Sequence, residues 1–82
     1  MTLEIFGYMQ NSDAEAPARL EEVSFRADPP QLRTIAKFFN HCADLLETHA
    51  GDFGHEHLSD FAKELEGGPA VIVAGPPSGV GG

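Results

Sequence analysis

Six side chains able to bind protons, metals or ions fall within twelve residues: His49, Asp52, His55, Glu56, His57 and Asp60. Zinc takes neutral imidazole and carboxylate ligands, and an extended His55-Glu56-His57 segment would put both rings on one side of the chain. A His-based metal-binding or metal-stabilised module, with zinc on His55 and His57, is therefore one reading of the stretch. Two observations weigh against it. In a helix the same i, i+2 pair would diverge, and the order of residues is not the His-Glu-x-x-His of metalloproteases. The favoured reading leaves the segment without metal. Its histidines cap helix ends and face water or a protein partner, with His49 placed for the C-terminal dipole of a preceding helix.

Catalytic groupings are weaker still. Ser12, Ser24, Ser59 and Ser78 lie in no nucleophile-elbow context, and Gly75-Pro-Pro-Ser-Gly-Val-Gly-Gly82 lacks the Gly-Lys-Ser/Thr ending of a phosphate-binding loop. Glu21 and Glu22 are explained as solvated strand residues. Cys42 is the single cysteine, so neither an intramolecular disulfide nor a Cys-based metal staple can form. It falls among apolar helix positions, where a thiol acts as a small hydrophobe. No enzyme is expected.

Charge narrows the partners. Five Lys and Arg against 13 Asp and Glu give a net charge of −8. Counterion release on nucleic acid needs cationic side chains, and this surface would repel phosphates. Residues 44–66 carry seven acids (Asp44, Glu47, Asp52, Glu56, Asp60, Glu64, Glu66) and one base, Lys63, so they hold −6 of the total. Such a field steers a basic partner, although its commonest use is solubility. No stretch approaches the roughly 20 apolar residues of a membrane span, and the N-terminus has no signal-peptide pattern. A cytoplasmic protein is the expectation.

The elements that must position this cluster centre on a helix over Asp28–Gly51. Leu32, Ile35, Ala36, Phe39, Cys42, Ala43, Leu46 and Ala50 follow the i, i+3, i+4, i+7 spacing of one face, with Arg33, Thr34, Lys37, Asn40, His41, Asp44, Glu47 and Thr48 on the other arc. Asp28 is the N-cap, Pro29 the first helical residue and Gln31 the return partner of a capping box. Gly51 is placed to close the helix in the left-handed conformation. The spacing predicts strands over residues 2–9 and 19–27, paired antiparallel, with Gly7 a close-approach point and a bulge near Glu21–Glu22. A short helix near 57–66, stopped by Gly67 and Gly68, precedes an apolar strand over 70–74. The resulting fold class is α+β: a three-stranded, mainly antiparallel sheet in the order 2-1-3, with the long helix across one face (ββαβ plus the short helix). Residues 1–74 form one domain, and residues 75–82 form a disordered tail. The uncovered face of the sheet would display Phe6 and Tyr8. Exposed together they would suit a partner or a homodimer, and the protein would otherwise be a monomer with that face covered by the second helix or the tail.

The stretch from Glu22 to Phe61 resembles a family of small predicted immunity proteins of bacterial polymorphic toxin systems. The likeness lies in a strand ending at Ala27-Asp28, followed by Pro-x-x-Leu-x-x-Ile-Ala-x-Phe over Pro29–Phe38. The Cys42-Ala-Asp-Leu-Leu-Glu47 helix end, the Asp52-Phe-Gly-His-Glu-His-Leu58 turn and a Val71-Ile-Val73 strand complete it. The resemblance implies a small α+β protein that binds and neutralises a cognate toxin without catalysis. Toxins that degrade nucleic acid tend to present basic clefts, which an acidic surface would find through complementary fields. Asp52, His55, Glu56, His57 and Asp60 are the expected partner-binding residues, and a basic toxin domain is the expected partner.

Overall fold

Asp28 begins the long helix as its sequence predicts. Its Oδ1 accepts a 2.9 Å hydrogen bond from the Gln31 amide, while Gln31 Oε1 accepts a 3.0 Å bond from the Asp28 amide. Two of the amides that a helix start leaves unpaired are thereby satisfied, and such a cap contributes about 1 kcal/mol. In this computed structural model, which describes residues 3–76, helix α1 runs Pro29–Thr48. It ends earlier than the expected Gly51. The His49 backbone N–H closes it by donating a hydrogen bond to the Leu45 carbonyl (2.7 Å), and the chain continues into a 3-10 turn over Ala50–Asp52. Gly51 takes no positive φ, because the turn keeps the chain winding right-handed there.

Around α1 the order is β1 (Phe6–Gly7), β2 (Ala18–Arg19), α1, β3 (His55–His57), α2 (Leu58–Phe61), a 3-10 turn over Lys63–Leu65, and β4 (Ile72–Ala74). The expected antiparallel pairing of the first two strands is present, Phe6 opposite Arg19 and Gly7 opposite Ala18. Their ladder is short and stops with the Leu20 amide on the Ile5 carbonyl, 2.7 Å, at the bend where a bulge was expected. Gly7 is indeed a close-approach point: a Cβ there would lie 3.0 Å from Leu20 Cδ1.

The single three-stranded sheet is not formed. The described residues form two separate two-stranded antiparallel sheets, β1-β2 and β3-β4, so the 2-1-3 order does not arise. The last strand takes its partner from His55–His57, pairing His55 with Ala74, Glu56 with Val73 and His57 with Ile72. An additional bond from the Leu58 amide to the Val71 carbonyl (2.9 Å) carries the ladder into α2. Closing that short connection costs less chain entropy than bringing β4 back to β1 across most of the chain. The short helix expected over 57–66 is split. One turn of α-helix ends at Phe61, Ala62 adopts an extended backbone, and a 3-10 turn follows, with Gly67 at φ 97° beyond it. The tail expected to be disordered lies, past Pro76, outside the described residues.

The core is small and lies between α1 and the second half of the chain. Phe38, Cys42, Leu58 and Ala62 are buried, with Ile35, Phe53, Leu65, Val71 and Val73 packed around them. The buried side of α1 is therefore not centred on the face read from spacing. Phe38 replaces Phe39 as its anchor, and Leu32 and Phe39 remain over two-fifths exposed. The rings of Phe38 and Phe61 meet at 5.6 Å between centroids, tilted by 49°. No core residue comes from β1 or β2, and Phe6 and Tyr8 are 52% and 59% exposed.

Candidate functional site

Between the end of α1 and the start of β3 lies a shallow, open cavity of about 210 Å³ lined by Leu45, His49, Asp52, Phe53 and Glu56. Helical spacing puts Leu45 and His49 on adjacent turns of one face. The 3-10 turn then brings Asp52 and Phe53 round to face them, and β3 supplies Glu56 from the other side. Leu45 and Phe53 form an apolar wall, while the rim carries one imidazole and two carboxylates. Nearby, Gly75 lets β4 pass against the same structure: a Cβ there would lie 3.1 Å from Leu46 Cδ2 and 3.5 Å from Phe53 Cδ2.

His49 is held by the helix end. Thr48 Oγ1 donates to the Asp44 carbonyl (2.8 Å) and lies 2.8 Å from His49 Nδ1. The hydroxyl has one proton. With that proton on the Asp44 carbonyl, His49 Nδ1 must donate to Thr48, which leaves Nε2 as the free acceptor in the neutral ring.

The five expected partner-binding residues are divided by the strand. Asp52 and Glu56 converge on the cavity. His55 and His57, alternating with Glu56 along β3, point to its other side, where their rings meet at 5.0 Å, nearly edge to face. The expectation that an extended segment puts both rings on one side holds. Among the described residues, however, no group of three or more His, Cys, Asp or Glu converges as a metal cage. Asp60 sits apart in α2, drawn to Lys63 at 3.8 Å; Lys63 also reaches Glu66 at 4.0 Å. These pairs are highly exposed and contribute little to stability. They do occupy the one base of the acidic segment. Asp52 and Glu56 make no ion pair among the described residues.

Glu56 is half-buried, and its charge acts inward as well as outward. Burial pushes the Cys42 thiol above its ordinary pKa, and the negative charge of Glu56 pushes it further. Cys42 is thus a protonated core residue, as its place on the apolar face suggested. Sequence reading missed Leu45 and Phe53, which turn a scatter of acids into a walled site. For Leu45 the signal was present in its spacing to His49, one helical turn.

Residues 22–76, most of the chain, match the family described as Immunity protein 32. The chain belongs to that family. Immunity protein 32 is one of the immunity families of bacterial polymorphic toxin systems, and the match spans α1, the cavity and both strands of the second sheet. No curated protein and no solved structure matches the chain. None of the described helices is long and apolar enough to cross a membrane.

Proposed function

We propose that this immunity-family chain neutralises a cognate toxin by binding it, without catalysis, through the acidic segment from Asp44 to Glu66. The cavity at the exit of α1 is its anchor point. The observation that carries this reading is the placement of Asp52 and Glu56, both without an ion pair among the described residues, on the rim of a cavity walled by Leu45 and Phe53. A lysine or arginine of the toxin fits this arrangement. Its methylene stem would lie along the apolar wall and its charge between the two carboxylates. His55, His57 and Asp60 then form a flanking rim.

The test is association kinetics with the cognate toxin, sought among the neighbouring reading frames. Changing Asp52, Glu56 and Asp60 to Lys should slow association by about tenfold or more and flatten its dependence on salt. Asp52→Asn with Glu56→Gln should act mainly on dissociation, since it removes the close pairs and leaves much of the long-range field. Unchanged kinetics in both variants would show that these acids only keep the protein soluble.

A further inference from the structure

The strand expected over residues 19–27 is formed only at its start: β2 ends at Arg19, and residues 22–27 take no regular secondary structure although their sequence is strand-like. Residues 22–27 alternate Glu22, Ser24 and Arg26 with Val23, Phe25 and Ala27, the pattern of a strand with one polar and one apolar face. Yet between the Leu20 amide, bonded to Ile5, and Asp28, which begins α1, these residues form no backbone–backbone hydrogen bond with any described residue. Val23 and Phe25 are 43% and 49% exposed. Arg19 has an acid partner, Glu4 at 3.1 Å, but neither Glu22 nor Arg26 has an ion pair among the described residues. A β-prone segment with its own apolar face and unpaired charges is a template for pairing with another chain.

We propose that the partner of this segment is a second copy of the same chain, paired antiparallel about a two-fold axis at Ser24. The sequence is self-complementary in that register and no neighbouring one. With Ser24 opposite its own copy, Glu22 faces Arg26 and Val23 faces Phe25, and symmetry gives each pair twice. Shifting the centre by one residue, to Val23 or Phe25, sets Glu22 opposite Ser24 or Arg26 opposite Ser24 and loses both ion pairs. Opposite charges and an aromatic beside a β-branched residue are the favourable cross-strand combinations on an antiparallel pair. A two-fold interface of this kind is isologous and closed, so it stops at a dimer. It lies on the opposite side of the chain order from the cavity at the exit of α1, and it does not depend on how a toxin is bound.

Sedimentation equilibrium of the full chain, alone, tests the dimer directly. The wild type should approach twice the 8.8 kDa monomer mass as concentration rises. Glu22→Lys and Arg26→Glu each set like charges opposite one another at two places and should weaken self-association by about tenfold. The combined exchange, Glu22→Lys with Arg26→Glu, restores both pairs in reverse and should restore the dimer. Circular dichroism of each variant confirms that its helix is intact. Oxidative cross-linking checks the register. Ser24→Cys places two thiols on the axis, with Cα atoms about 4.5–5.5 Å apart, inside disulfide range. Glu21→Cys leaves them about 20 Å apart along the strands, so only the first should cross-link efficiently. A wild type that stays monomeric up to about 1 mM, or single and combined variants that associate equally, overturns the proposal. Equal cross-linking at positions 21 and 24 overturns the register.

Discussion

Cys42 and Glu56 show how closely the core and the candidate site are joined. The thiol is buried within α1's packed side, and its pKa is raised by that burial and by the charge of Glu56, which also borders the cavity. The consequence for stability has a definite sign. In the unfolded chain the thiol ionises near its ordinary value of about 8.5, while in the folded chain it keeps its proton to higher pH. Between those values the unfolded state binds fewer protons, so stability is full below the ordinary thiol range and falls as pH rises through it. Urea unfolding followed from pH 7 into the alkaline range should show this decline, and Cys42→Ala should remove that component while costing about 1 kcal/mol at neutral pH. The thiol should also react slowly with Ellman's reagent until the chain is unfolded. Replacing Glu56 by Gln should reduce the alkaline sensitivity in part, because burial is the larger cause. A decline of equal slope in Cys42→Ala would assign it to other groups.

At the scale of elements, the helix that organises the chain carries two apolar stripes, and only one is buried. Ile35, Phe38, Cys42 and Leu45 face the core or its edge, while Leu32, Ala36, Phe39 and Ala43 are exposed. Phe38→Ala should cost about 3–5 kcal/mol, since it empties the centre of a small core, whereas Phe39→Ala should cost well under half as much. Thermal melts of the two variants decide which stripe packs; equal losses would mean that both do. The stripes explain what was legible in the sequence and what was not. The capping box is written in four consecutive residues and depends on nothing else, so Asp28, Pro29 and Gln31 could be read directly. The choice between Phe38 and Phe39 depends on which elements lie beside the helix, and that is a tertiary fact. The same holds for the second sheet. His-Glu-His has no β-branched residue and no Phe, Tyr or Trp to mark it as a strand, so an extended segment was weighed there only for metal binding, and β1 rather than β3 was assigned as the partner of β4. The acids and histidines of the site were visible as a cluster, but the strand that divides them, Glu56 inward and the two histidines to the other side, was not.

For the whole molecule, a net charge of −8 is carried by a chain with only four buried apolar residues among those described. Marginal stability is expected of so thin a core, since folded chains hold only roughly 0.05–0.15 kcal/mol per residue. Self-repulsion among the acids of residues 44–66 takes some of that margin away. The same charges attract a basic partner. Folding and binding must therefore respond to salt with opposite signs. Raising ionic strength from about 0.01 M to 0.15 M shortens the screening length from about 30 Å to 8 Å. Repulsion between exposed acids is weakened, so the urea midpoint should rise. Attraction to a basic toxin is weakened too, so the association rate should fall. Lys substitutions at Asp52, Glu56 and Asp60 should diminish both responses together, because they remove the field common to the two. A salt dependence of the same sign in stability and in association would mean that close ion pairs, such as Lys63 with Asp60 and Glu66, dominate the folded state instead of the unbalanced acidic field.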